Sequence, residues 1–195
     1  MGIKSLLARP LAAYTASKIK KWSLNPHQTQ QREFEKLISS ARNTVFGREH
    51  DFGAIRNYDD FRKRVPIRDY EAFRPYIDRI IKGENDVLWP GKPIYFCKTS
   101  GTTSGTKYIP ISKQSIHNHI GSTRDALLNY IHQTGNARFL DGKLIFLSGS
   151  PVLTEAGGIP LGRLSGIVNH HVPGYLRTNQ MPSYKTNCID DWEKK

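Results

Sequence analysis

Apolar positions recur at helical spacing through roughly the first ninety residues, and the pattern then changes. Residues 3–22 carry an amphipathic pattern that predicts a helix, with Pro10 starting or kinking it. Asn25-Pro26 reads as an N-cap followed by a proline at the first helical position, where its missing N–H costs nothing. Behind it Phe34, Leu37, Ile38 and Ala41 fall on one face, which is expected to be buried. Asn57 is expected to cap a short helix with Asp59 and Asp60 in its first turn, where the helix dipole favours acids. Asp69 is expected to cap a segment running to about Ile81, interrupted by Pro75 and closed by Gly83. Near residue 90 a turn cluster, Trp89-Pro90-Gly91-Lys92-Pro93, precedes a short apolar run, Ile94-Tyr95-Phe96-Cys97, that predicts a buried strand. Tyr108-Ile109-Pro110-Ile111 predicts a second strand. Ser112 then caps a long helix striped by Ile116, Ile120, Leu127 and Ile131 and ended by Gly135. Lys143 to Leu147 predicts a third strand, and 148–174 predicts loop with one short strand. Asn187 is read as the cap of a last helix begun by Ile189 and Trp192. So short a helix without a partner suggests truncation.

The elements add up to a mixed α/β (α+β) fold, mainly helical over 1–90 and built of strand, loop and helix over 91–195. Composition narrows this only a little. At 195 residues, 37% hydrophobic and 24% charged, the chain can bury a core as one domain or two small ones. Lys4, Arg9 and Pro10 break up its N-terminal apolar residues, so they do not read as a secretory signal, and a cytoplasmic setting is expected. Cys97 and Cys188 match no metal spacing and read as free thiols. The net charge of +12 invites a polyanionic partner, but its densest groups, Lys18-Lys20-Lys21 and Arg62-Lys63-Arg64, lie on helical segments and read as solvated faces. A nucleic-acid module would interleave aromatic and basic residues, a pattern this chain lacks.

Chemistry concentrates in Thr99-Ser100-Gly101-Thr102-Thr103-Ser104-Gly105-Thr106-Lys107, where eight of nine residues are Gly, Ser or Thr and the last is Lys. Glycines let backbone N–H groups turn inward as an anion-binding nest, hydroxyls add donors, and the lysine adds a mobile point charge. These are the parts needed to hold nucleotide phosphates. The segment is not a P-loop. Gly101 and Gly105 are one residue too close, Tyr108 follows Lys107 where a magnesium-binding hydroxyl belongs, and Pro110 blocks the helix a P-loop requires. The predicted arrangement is strand, phosphate loop (98–107), strand.

The string TSGTTSGTK resembles the Ser/Thr/Gly-rich phosphate motif of the adenylate-forming superfamily, which includes acyl-CoA synthetases, luciferases and peptide-synthetase adenylation domains. Its flanks narrow the resemblance. YDDFRKRVPIRDYEAFRPYIDRIIKGENDVLWPGKP upstream, KTSGTTSGTKYIPIS, and LSGSPVLTEAGGIPLGRLSGI with NHHVPGYLRTNQMPSYKTNCIDDWEKK downstream are similar to the auxin-responsive acyl-acid amido synthetase family, on the side of its bacterial relatives. The resemblance covers the chain from about residue 25 and corresponds to the first third of such an enzyme. The spacing from Ser100 to Lys107 is one residue tighter than in plant members.

The resemblance implies that a carboxylic acid attacks the α-phosphate of ATP to give an acyl-adenylate and pyrophosphate, after which the amine of an amino acid displaces AMP. It implies ATP and Mg2+ as cofactors, small-molecule acid and amino-acid partners, and neither nucleic acid nor membrane. A CoA-thioester-forming ligase of the same superfamily is the alternative. By this resemblance Ser100, Thr102, Thr103 and Ser104 donate to the β- and γ-phosphates, Gly101 and Gly105 let the backbone approach, and Lys107 is the catalytic cation. The long helix and the loop 162–167 would line the acyl pocket, with Leu127, Leu128, Leu164 and Ser165 as wall candidates and Arg124 as the carboxylate partner. His117 and His119 are two apart on a helix and cannot share a metal. His170-His171, Ser148-Gly149-Ser150 and Asp190-Asp191 likewise match no catalytic spacing.

Overall fold

The structure is a computed structural model that describes residues 2–99, 106–189, 191, 193 and 194. Helices α1 (Ile3–Ser23), α2 (Pro26–Ala41), α3 (Val45–Glu49), α4 (Tyr58–Arg64) and α5 (Tyr70–Ile81) lead into strands β1 (Tyr95–Lys98) and β2 (Tyr108–Ile111). Helix α6 (Ser115–Thr134) follows, then β3 (Leu144–Ile145), β4 (Thr154–Ala156), β5 (Ile159–Gly162), α7 (Leu164–His170), α8 (Gly174–Arg177), β6 (Gln180–Met181) and α9 (Tyr184–Asn187). This is the mixed α/β class that the periodicity predicts. The chain forms two compact units: Asn25–Lys113 with Glu155–Leu161, and Met1–Leu24 with Gln114–Thr154 and Gly162–Lys195.

The first of these units is built on an aromatic cluster. Phe46 of α3 meets Phe52 and Tyr76 edge-on, at centroid distances of 5.9 and 5.3 Å, and stacks on Phe73 at 5.8 Å. Such pairs contribute about 0.5–1.5 kcal/mol each beyond the area they bury. Ile38, Ile77, Ile80 and Val87 complete the core, together with Phe96 of β1 and Ile159 and Leu161 of β5. Helix α3 is only five residues long and needs outside partners for its first amides. The hydroxyl of Thr44 accepts from the Gly47 N–H at 3.0 Å, and the carbonyls of Asp86 and Val87 accept from Val45 and Phe46 at 2.7 and 2.9 Å. Asn57 and Asp69 cap α4 and α5 as predicted, through the amides of Asp60 and Ala72. A four-stranded sheet runs in the order β2-β1-β5-β4. Its β4–β5 hairpin turns at Gly157-Gly158, both with positive φ. A side chain on Gly157 would meet the Ile81 carbonyl at 2.1 Å, so no other residue fits there.

The second unit is organised by α1 against α6. Ser5, Ala8, Ala12, Thr15 and Ala16 form the buried face of α1. Ala8 and Ala12 share a core with Leu128, Ile131 and Ala137. Asp141 ties down the start of α1 by accepting from the Gly2 N–H at 2.7 Å and the Ser5 hydroxyl at 2.5 Å. The Ser5 hydroxyl bond, helped by the two backbone amides, holds the Asp141 carboxyl below its usual range. Strands β3 and β6 pair in parallel, Leu144 with Gln180 and Ile145 with Met181.

Several local expectations change. Pro75 lies inside an unbroken α5 and Pro10 inside an unbroken α1. Both prolines sit on exposed sides, where water can take the carbonyl that each one frees. Leu37 leaves the predicted buried stripe of α2 and is exposed, while Ile38 and Ala41 keep to it. Helix α6 starts at Ser115 behind Gln114 and not at Ser112, and its buried stripe uses Leu128 in place of Leu127. The third strand shrinks to Leu144–Ile145 and lies open, Ile145 being 76% exposed. The segment 148–174 holds a hairpin and α7 where mostly loop was expected. Asn187 ends α9, which Ser183 caps, and its side chain is fully buried. Trp192 and Asp190 lie outside the described residues.

Candidate functional site: an antiparallel hairpin that carries the phosphate-type loop

Strands β1 and β2 pair antiparallel with Tyr95 opposite Ile111 and Lys98 opposite Tyr108. Two backbone bonds close the ladder, from Ile94 N–H to the Ile111 carbonyl at 2.8 Å and from Thr99 N–H to the Lys107 carbonyl at 3.1 Å. The Ser/Thr/Gly segment is therefore a hairpin connection whose two ends are pinned at Thr99 and Lys107. Ser100, Gly101, Thr102, Thr103, Ser104 and Gly105 themselves lie outside the described residues.

The base of the hairpin is built by packing. Phe96 is fully buried and its ring lies 5.9 Å from that of Tyr108. Strand β2 is an edge strand, so Tyr108 turns its own N–H and C=O away from β1. The hydroxyl of Tyr70, the first residue of α5, meets both groups. It accepts from the Tyr108 N–H at 2.7 Å and donates to the Tyr108 carbonyl at 3.4 Å. Lys107, half-buried, places its ammonium 5.5 Å from the centre of the same Tyr70 ring, within the range of a cation–π contact. Among the described residues no carboxylate lies within ion-pair distance of Lys107. Tyr70 escaped the sequence reading because nothing in its spacing marks it; only the packing of α5 brings it to β2.

The acyl-pocket candidates all fall in the unit containing α6 and α7. Arg124 is exposed and ion-paired to its neighbour Asp125 at 2.8 Å. Leu127 and Leu164 are partly exposed, at 43% and 37%. Leu128 is buried among Ala8, Ala12, Ile131 and Ala137. The Ser165 hydroxyl accepts from the Gly149 N–H at 2.9 Å. Gly166 sits so close to the Ser150 carbonyl that a Cβ would come within 2.2 Å of it. Both contacts fasten α7 to the segment before β4.

Among the described residues no group of three or more His, Cys, Asp or Glu is placed to hold a metal ion. Cys97 and Cys188 are not joined in a disulfide. Burial, with Glu49 as acceptor at 2.5 Å, pushes the Tyr76 hydroxyl up, and a two-bonded contact with Arg79 holds Glu84 down. Burial, with His170 and His117 nearby, pushes His171 down.

The fold is of the mixed α/β class, with a Ser/Thr/Gly-rich segment joining two antiparallel strands and a lysine at its exit. Comparison with known proteins specifies the class. The model of the GH3 family N-terminal domain matches residues 15–194, and the chain belongs to that family. It is 26% identical over 200 residues to the indole-3-acetic acid-amido synthetase GH3.4 of Arabidopsis thaliana, covering 96% of this chain and 32% of that protein. It is 35% identical over 114 residues to GH3.15 of the same plant, covering 57% of this chain and 19% of that protein. A jasmonoyl--L-amino acid synthetase, JAR4 of Nicotiana attenuata, is 23% identical over 136 residues, 68% of this chain and 23% of that protein. The solved structure of the A. thaliana GH3.15 acyl acid amido synthetase in complex with 2,4-DB superposes with a TM-score of 0.74 at 25% identity, covering 92% of this chain and 32% of that one. The chain therefore spans about a third of the length of the curated relatives it matches. The relatives named here are plant proteins and give no support to a bacterial origin. Among the described residues no helix is long and apolar enough to cross a membrane.

Proposed function

We propose that this chain supplies the ATP-phosphate-binding hairpin of an acyl-acid amido synthetase, a ligase that activates a carboxylic acid as its acyl-adenylate and passes the acyl group to an amino acid. The observation that carries the reading is the hairpin itself. The strands on either side of its loop meet at Thr99 and Lys107, and the Lys107 ammonium, which has no ion-pair partner among the described residues, lies over the Tyr70 ring. In the first step a carboxylate oxygen bonds to the α-phosphorus of ATP and the bond to the bridging oxygen breaks, which places the departing charge on pyrophosphate. The chain's contribution is oriented donors around that charge: the hydroxyls and amides of Ser100, Thr102, Thr103 and Ser104, the close approach allowed by Gly101 and Gly105, and the Lys107 ammonium. In the second step the amine attacks the acyl carbon and AMP leaves. Partly exposed Leu127 and Leu164, with Arg124, Leu128 and Ser165 near them in sequence, are the proposed contribution to the acyl pocket. A cytoplasmic setting, with ATP and free amino acids at hand, suits this chemistry.

The test is ATP–pyrophosphate exchange by the complete gene product against a panel of aryl and indole carboxylic acids. Acid-dependent exchange that drops by about one to three orders of magnitude in Lys107→Ala is expected, the loss typical of removing one charged stabiliser. An unchanged rate in a folded Lys107→Ala protein would remove the lysine from the mechanism. Consumption of the adenylate by CoA in place of an amino acid would move the protein to the thioester-forming branch.

A further inference from the structure

Tyr70 enters no part of the reading of the phosphate loop, yet it touches the loop's exit twice by two different kinds of contact. Its hydroxyl satisfies both outward-facing backbone groups of Tyr108, at 2.7 and 3.4 Å, in the place where a further strand would otherwise pair with the edge of β2. Its ring seats the Lys107 ammonium at 5.5 Å. The residue itself is held firmly. It is the first residue of α5, directly after the Asp69 cap, whose carboxylate accepts from the Ala72 N–H at 3.0 Å.

We propose that Tyr70 is the positioning residue for Lys107: its hydroxyl fixes the backbone at which the lysine leaves the loop, and its ring fixes where the ammonium waits. This rests on the reading of Lys107 as the phosphate-binding cation. The choice of an aromatic seat has a chemical reason. A carboxylate partner would hold the ammonium as well, but it would cancel the charge that phosphate needs and would have to be displaced. A ring face attracts the ammonium through its quadrupole and leaves the positive charge whole. It also spares the lysine part of the ordering that binding would otherwise require, because a long flexible side chain loses rotamer freedom on capture. The same ring serves phosphate badly, so the ammonium is free to turn to the nucleotide when it arrives.

The experiment is a double-mutant cycle read by ATP–pyrophosphate exchange in the complete gene product, using Tyr70→Leu, Tyr70→Phe, Lys107→Ala and the two combinations. Thermal melts establish that each variant is folded. Tyr70→Leu, which removes seat and strap, is expected to slow exchange by about ten- to a hundredfold, the scale of loss for a misplaced catalytic group. Tyr70→Phe keeps the ring and the shape and is expected to lose about two- to fivefold, the scale of one neutral hydrogen bond. Neither is expected to change the KM for the carboxylic acid. The decisive reading is coupling: on the Lys107→Ala background both tyrosine substitutions should have no further effect, because nothing remains to be positioned. Should Tyr70→Leu fail to fold, the Phe variant carries the same cycle. Losses that persist undiminished without Lys107, or tyrosine variants as active as the parent while Lys107→Ala is impaired, overturn the role of Tyr70 and leave the phosphate loop standing. A fully active Lys107→Ala protein overturns the phosphate reading itself.

Discussion

At the scale of single residues, position outweighs residue type. Tyr70 and Tyr76 sit six apart on one helix and both use their hydroxyls, yet one bonds the backbone of Tyr108 at the start of the edge strand, next to Lys107, and the other donates to Glu49 inside a structural network. Gly157 shows the same dependence. Its φ of +60° and the carbonyl of Ile81 at 2.1 Å from a would-be Cβ leave room for glycine alone. Gly157→Ala is expected to destabilise the protein by about 2 kcal/mol or more, since it adds left-handed strain to a backbone clash. Chemical denaturation would read this directly, and a variant within about 0.5 kcal/mol of the parent would mean that the turn adopts another form. The Ser/Thr/Gly run that ends in Lys107 was visible in the sequence because its residue types follow one another along the chain. Tyr70 was not, because its contribution depends on a contact 38 positions away along the chain.

At the scale of elements, the terminal contacts of helices decide how firmly each one is held. Helix α1 depends on Asp141, whose carboxylate accepts from Gly2 and Ser5. Asp141→Asn is expected to loosen the first turn of α1, read as faster amide exchange and earlier proteolysis near Leu6 and Leu7; equal protection in both proteins would show that packing against α6 suffices. His171, which follows α7, faces His170 on its own element and His117 on α6. Burial first, then these neighbours, lowers its folded-state pKa from the ordinary 6.5. Below 6.5 the unfolded chain therefore binds a proton that the folded chain refuses. The stabilisation is fully present above that value and is lost as pH falls. Melting temperatures of the parent are expected to drop between pH 7.5 and 5.5 more steeply than those of His171→Asn, and parallel curves would exclude His171 as the source. Periodicity found α1, α2, α4, α5, α6, β1 and β2, whose caps and stripes are local. It missed the β4–β5 hairpin and α7, because a Gly/Pro/Ser-rich stretch reads as loop until a partner for its short apolar runs is known.

At the scale of the molecule, the two compact units differ in how well they bury their apolar residues. The unit around Phe46 closes on an aromatic core, whereas in the other unit the parallel pair β3 and β6 leaves Ile145 and Met181 exposed, and Leu147 just beyond β3 is exposed too. Parallel strands are ordinarily covered on both faces. The 195-residue chain by itself is expected to bind a hydrophobic dye and to associate as its concentration rises, despite a net charge of +12; a monomer with a sharp, cooperative melt and no dye binding would contradict this. What the sequence by itself determined is what local rules control: the helices, whose apolar spacing and caps lie within a few residues of one another; the strand–loop–strand order; and the Ser/Thr/Gly make-up of the loop. What only the tertiary structure decided is which stripe of each helix is buried, which strands become neighbours, and which side chain lies against Lys107. Those outcomes depend on contacts between residues far apart in the chain, and their free energy exists only once the partners have been brought together.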